Sequence, residues 1–245
     1  MPFSLRNHPF AVEAFFESST ILTFAVAKAE LEKYVPKPLK LDLFEDKWAF
    51  LTIAMVNTKN LRPKGFFKFL GQDFFLIGYR IFVRYQTSAG KNLRGLYILK
   101  SETNKLSMEL LGNLFTRYAY TTTDIEQKVE GNTMEIKSMK SKFNFKFSRL
   151  SENEVQLPES SVFSSWKEAR RFVGPLPFTF EIDNKNNQVL IIEGVRENWI
   201  ANPIQVLSAN FEFIDSFAFD HIHLSNAFEI RNVPYSWKKG VFDSW

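Results

Sequence analysis

Two of the chain's three histidines, His221 and His223, stand two residues apart in Asp220-His221-Ile222-His223. Strand spacing puts both imidazoles on one face, alongside Phe217 and Phe219. Such a pair can begin a zinc or iron site, but the third ligand would have to come from His8, Asp215 or Glu229. We read one imidazole as completing a core face and the other as a strand end near solvent, and we expect neither metal nor cofactor. Cysteine is absent, which excludes disulfides, thiolate metal sites and a cysteine nucleophile. No Gly-x-Ser-x-Gly elbow occurs, and the 10 glycines form no phosphate-cradling loop, so nucleotide-dependent chemistry finds no support. Lys105 lies in SETNKLSME, which reads as a solvated helix start, whereas an amine nucleophile needs an apolar pocket or a second cation beside it.

The elements that must position these groups are mostly strands. Ala29–Tyr34 makes one or two helical turns that Pro36 and Pro38 end, since proline lacks the amide donor and restricts the residue before it. Leu39–Phe44 then leaves extended, Glu45–Lys47 turns, and Trp48–Val56 is apolar on both sides, the mark of a strand buried on two faces. Phe74–Gln86 and Leu93–Lys100 form a hairpin. Thr103–Phe115 spaces Leu106, Leu110, Leu111 and Leu114 for one helical face, with Ser101 or Thr103 as cap. A further hairpin pair covers Thr121–Glu130 and Thr133–Leu150. Ser164–Phe172 is a short helix capped by Ser164 or Ser165, which Pro175 and Pro177 stop. Gln188–Arg196 and Pro203–Phe219 read as strands.

Hydrophobic residues make up 45% of the 245, with 27 phenylalanines, enough for one sizeable core. With no Gly/Ser/Pro-rich linker, residues 1–245 read as a single domain. The net charge is +4, and its cations are dispersed. Where they cluster, as in Lys137–Arg149, Phe143, Phe145 and Phe147 alternate with Lys142, Asn144 and Lys146. Rings and cations therefore point to opposite sides, which argues against nucleic acid. No segment reaches the ~20 apolar residues of a membrane span and the start does not read as a signal peptide, so a cytoplasmic protein without a membrane partner is expected.

The run AELEKYVPKPLKLDLFEDKWAFLTIAMVN resembles the opening of the acetoacetate decarboxylase-like superfamily, and more closely its bacterial branch of uncharacterised proteins (a domain of unknown function). Further resemblances are NLRPKG at 60–65, GLYILKSETNKLSMELLGNLFTRYA at 95–119, RRFVGPLPFTF at 170–180 and the closing strand near Asn226–Val233. Together they run from about Thr20 to about Val233. The resemblance implies a mainly β fold with a few short helices (α+β), namely a cone-shaped antiparallel β-barrel, and a homo-oligomer.

In acetoacetate decarboxylase a Gly-Phe-Pro-Lys-Lys phrase follows the helix. Its first lysine forms a Schiff base with the keto acid, and the second lowers the first one's pKa. The matching stretch here is Leu114-Phe115-Thr116-Arg117-Tyr118-Ala119, with Thr116 at the nucleophile position and Arg117 beside it. Threonine has no amine and arginine stays protonated, so the resemblance implies a small-ligand-binding barrel without Schiff-base chemistry. The alternative is an enzyme on small oxo acids or related carbonyl compounds, using Glu102, Lys105 or Arg117 as acid or base. The resemblance places Phe115, Thr116, Arg117, Tyr118 and Tyr120 at the cavity mouth, where one cation and two phenols suit a small carboxylate or oxo acid with an apolar tail. Glu102 would pair with Arg117 or carry a proton. Arg62, Arg80 and Arg171 are further cations, and Gly174–Phe178 is a rigid turn at the rim.

Overall fold

The computed structural model describes residues 5–150, 156–174 and 176–245. After a 3-10 turn at Leu5–Asn7 the chain enters β1 (Val12–Ala27), then α1 (Lys28–Leu31), which tightens into a 3-10 turn, Glu32–Tyr34, before the prolines. β2 (Lys40–Leu41) is far shorter than the expected Leu39–Phe44. β3 (Trp48–Pro63), β4 (Gln72–Gln86) and β5 (Asn92–Thr103) follow, then α2 (Leu106–Phe115), β6 (Tyr120–Thr122), β7 (Glu126–Glu130), β8 (Thr133–Ser138) and β9 (Phe143–Arg149). The stretch expected as one strand from Thr133 thus breaks at 139–142. The last part holds α3 (Trp166–Val173), β10 (Phe178–Asp183), β11 (Gln188–Arg196), β12 (Asn202–Phe211), α4 (Glu212–Asp215), β13 (Ile222–Trp237) and β14 (Val241–Ser244). The strand expected over Pro203–Phe219 therefore ends in a helical turn. Pro175 lies outside the described residues.

The order β11-β10-β5-β4-β3-β1-β13 closes on itself, because β13 also pairs with β11. Every step of this ring is antiparallel except β10 on β5, which is parallel. Strand alternation then sorts side chains to its two sides. On β3, Leu51, Ile53 and Met55 face outward into the main core, which they share with Phe143, Phe145 and Phe147 of β9. Phe50 joins an inner cluster roofed by α3, while Thr52, Ala54 and Val56 border an internal cavity. Both faces are buried, as the apolar run predicts.

Two local devices hold the ring's ends. Asp42, wholly buried, accepts from Arg84 Nε at 2.5 Å and Arg94 Nε at 2.7 Å, and Arg94 Nη2 also donates to the Phe172 carbonyl at 2.8 Å, at the end of α3. The α3 start is capped as predicted: Ser165 Oγ accepts the Glu168 amide at 3.2 Å, and the Glu168 carboxylate accepts from Ser164 N and Oγ. The α2 expectation needs correction. No side chain caps its start, where Lys105 holds the cap position, and Leu106, Leu110, Leu111 and Leu114 are exposed. The helix seats itself through Met108 and Gly112 instead, because Gly112 admits the Tyr120 ring; a Cβ there would stand 2.4 Å from Tyr120 Cδ2.

Candidate functional site

β4 runs as FFLIGYRIFVRYQ, and alternation turns Leu76, Gly78, Arg80 and Phe82 into the ring. A guanidinium among these apolar neighbours needs room. Gly78 supplies it, since a Cβ there would lie 2.8 Å from Arg80 Nε and 2.9 Å from Nη2. The side chain reaches a cavity of about 140 Å³ inside the ring. No ion pair among the described residues includes Arg80. The charged and phenolic groups it feels are Tyr235, Tyr120, Tyr118 and Arg196. Burial lowers its pKa and Arg196 adds to that, while the three phenols oppose it.

Arg196 ends β11 directly across from Tyr235 of β13 and lines the same cavity. Its Cζ lies 5.2 Å from the Trp199 ring and 5.8 Å from that of Tyr235, and its buried Nε has no hydrogen-bond partner among the described residues. Behind Trp199 stands Arg170 of α3, with Cζ 4.5 Å from that indole and 5.0 Å from Phe228. Its Nη1 is also buried and without a partner among the described residues, and burial with repulsion from Arg196 lowers its pKa. Three guanidinium groups thus converge with no carboxylate among the described residues pairing them, and no lysine is among those that line the cavity.

The other end of the ring is phenolic. Tyr120 of β6 pairs with Ser101 of β5, which faces inward, so Tyr120 faces inward too. Tyr118 joins it with ring centroids 6.1 Å apart, and its buried hydroxyl has no partner. Burial raises both phenols' pKa values. Leu76, Tyr118, Tyr120 and Trp237 border the inner cavity on one side and a second, larger chamber of about 430 Å³ on the other. Glu181, on the inward face of β10 two residues after Thr179, lies opposite Leu190 in the cluster that holds Tyr118 and Tyr120. Burial pushes its carboxyl up to about 8, partly opposed by Arg117.

The structure separates residues that the sequence reading brought together. Glu102 is buried on the outward face of β5, where Oε1 accepts from Ser141 Oγ at 2.5 Å and Lys100 Nζ at 2.9 Å. It is therefore not Arg117's partner. Arg117 faces away from the inner cavity and donates to Asn7 Oδ1 at 2.9 Å and Asp183 Oδ2 at 3.2 Å. Lys105 is exposed at the start of α2. Phe115 and Thr116 line the outer chamber, Phe115 against Phe10 and Thr116 with Oγ1 donating to the Gly112 carbonyl. Only Tyr118 and Tyr120 of that stretch reach the inner cavity. Arg62 is tied to Glu13 at 2.6 Å and Arg171 is exposed. His221 and His223 stack at 6.5 Å, but Phe217 and Phe219 precede β13 and pack on Tyr34 instead. No group of three metal-ligating side chains forms among the described residues.

Against known families, the model for DUF2071, uncharacterized conserved proteins, matches residues 14–228. The chain belongs to the DUF2071 family. No curated protein sequence matches it significantly. Among solved structures, the acetoacetate decarboxylase of Legionella pneumophila superposes with a TM-score of 0.60 at 10% identity, over 100% of this chain and 92% of that one. An acetoacetate decarboxylase-like enzyme from Sphingomonas wittichii gives 0.58 at 8%, covering 98% and 95%. The enduracididine biosynthesis enzyme MppR, bound to the condensation product of pyruvate and imidazole 4-carboxaldehyde, gives 0.56 at 6%, covering 96% and 89%. At these identities the likeness is one of fold, so the acetoacetate decarboxylase-like architecture is shared.

Of the inner groups, Arg80 was legible as a candidate cation, while Arg196, Arg170 and Glu181 were missed. Arg80 carried a signal, a lone charge at an inward position of the otherwise apolar alternation IGYRIF, whereas Glu181 shares its face with Thr179 and Asp183 and reads from sequence as part of an ordinary polar face.

Proposed function

We propose that this DUF2071 protein binds a small carboxylate or oxo acid in the inner cavity, with Arg80 and Arg196 receiving the carboxylate and without a Schiff-base lysine. The observation that carries this reading is the pair of guanidinium groups lining a largely apolar cavity that has no carboxylate among its described lining residues. Desolvated cations are costly unless paired, and a carboxylate accepts the fork of an arginine through two oxygens. The volume agrees with a small head group, since a cavity of roughly 150 Å³ holds a molecule the size of benzene. Solved proteins of this fold add support, MppR having been captured with pyruvate and with a pyruvate condensation product.

Titration calorimetry with pyruvate and acetoacetate tests the reading. Arg80→Gln should weaken binding by about 10- to 150-fold, the loss of a charged hydrogen-bond partner. Unchanged affinity in Arg80→Gln, or no binding by the intact protein, removes it. Borohydride added with acetoacetate should leave no adduct, and a trapped lysine would restore Schiff-base chemistry.

A second reading, an enzyme on small oxo acids, gains from Glu181. A carboxyl held protonated near neutral pH beside two phenols is a proton donor of the kind such chemistry needs. This moves the acid–base role from Glu102, Lys105 and Arg117 to the inward face of β10.

A further inference from the structure

We infer that the ligand is an amphiphile, whose anionic head occupies the inner cavity and whose apolar tail passes Tyr118 and Tyr120 into the outer chamber. This rests on the head-group reading above and goes beyond it by assigning the second chamber.

The two chambers share four wall residues, Leu76, Tyr118, Tyr120 and Trp237, so a molecule leaving the arginines in that direction meets the two phenols. The Tyr118 hydroxyl has no hydrogen-bond partner among the described residues to hold the ring in place. Beyond it the chemistry changes. The outer chamber is walled by Phe10, Leu61, Phe74, Met108, Leu111 and Phe115. Its one arginine, Arg62, is already neutralised by Glu13 at 2.6 Å. Its histidine, His8, is held neutral at physiological pH, burial pushing its pKa down to about 4. A charged group gains nothing there, whereas the inner cavity holds cations without counter-ions. The polarity gradient therefore fixes the direction of the ligand: head inward, tail outward.

Size sets the tail. With roughly 150 Å³ holding a six-carbon ring, a chamber of about 430 Å³ takes a chain of up to roughly seventeen carbons. The chamber opens at Leu70 and Leu111, which are 53% and 41% exposed, so the tail end needs no further enclosure.

The test is a chain-length series of straight-chain 2-oxo acids, from pyruvate to 2-oxodecanoate, titrated into the full-length protein. Affinity should rise about fourfold per added methylene across the series. Leu111→Trp narrows the mouth at a half-exposed helix position, and Leu70→Trp does so from the facing segment. Each should flatten the slope with length while leaving pyruvate binding unchanged. Pyruvate binding that never improves with length overturns this inference and leaves the head-group reading intact. If 1-octanol binds as tightly as 2-oxooctanoate, the arginines recognise no carboxylate, and both readings fall.

Discussion

Replacing Glu181 by glutamine should remove a pH dependence of stability that the intact protein carries. Burial raises this carboxyl to about 8 from an ordinary 4.5. Between those values the folded chain keeps a proton that the unfolded chain releases. Stability from this site is thus fully present below about pH 4.5 and is lost as pH rises towards 8. At 1.36 kcal/mol for each tenfold change in proton affinity, the ceiling is ~5 kcal/mol. Solvent in the adjoining cavity reduces this, and ~2–3 kcal/mol is the working expectation. The assay is urea unfolding of both proteins from pH 4.5 to 9, read as the difference between them. Subtraction is needed because His8 works in the opposite direction: its pKa is depressed to about 4 from 6.5, so its contribution is present above 6.5 and lost as pH falls towards 4. The intact protein should lose its advantage over Glu181→Gln progressively up to about pH 8 and no further. Parallel profiles would mean that Glu181 titrates normally, and the protonated acid assigned to it would be gone.

Gly78→Ala puts a methyl group 2.8 Å from Arg80 Nε. The strand cannot yield but the end of the arginine can, so stability should change by under ~1 kcal/mol while carboxylate affinity falls at least tenfold; calorimetry and thermal unfolding on the same preparation separate the two. Asp42→Asn leaves Arg84 and Arg94 without their shared carboxylate. Breaking a buried pair costs about 3–5 kcal/mol, and because both arginines are partly exposed we expect ~2–3 kcal/mol by chemical unfolding; a loss below ~1 kcal/mol would show that the cluster does not hold the ring's end.

The fold was legible because its signals are local and repeated. Pro36 and Pro38 stop a helix wherever they occur, and the two-sided apolar run of β3 has one structural solution. What failed was any reading that needed the direction of a side chain. The leucines of α2 have helical spacing, yet the face that packs is set by Gly112 and Tyr120, eight residues apart and linked only by the close approach a missing Cβ permits. Glu102 and Arg117 were joined by proximity in the chain. Glu102 pairs across the ladder with outward-facing Ile77 and Thr121, which sends it away from the cavity. Arg117 and Tyr118 lie in the bend between α2 and β6, where Ala119 takes a positive φ of 50°, so no alternation rule orders their directions. A one-residue difference in a strand exchanges inside for outside, and sequence alone does not fix that phase where a short helix feeds a three-residue strand.

Buried charges away from the cavity are treated differently from those around it, and that contrast is the strongest argument for an anionic ligand. Away from it they have partners: Glu229 accepts from Arg149 Nε at 2.7 Å and Nη2 at 2.9 Å, Asp42 holds two arginines, and Glu102 holds Lys100. Around the cavity, among the described residues, Arg80 has no ion-pair partner, Arg196 Nε and Arg170 Nη1 have no hydrogen-bond partner, and Arg170 feels repulsion from Arg196. Glu181 does not relieve them, since a protonated carboxyl carries no compensating charge. Folded proteins rarely leave buried polar groups unsatisfied, and the exceptions collect where a ligand completes them. A chain that pairs its buried charges elsewhere and leaves these open around the cavity has kept those cations for something that arrives from outside.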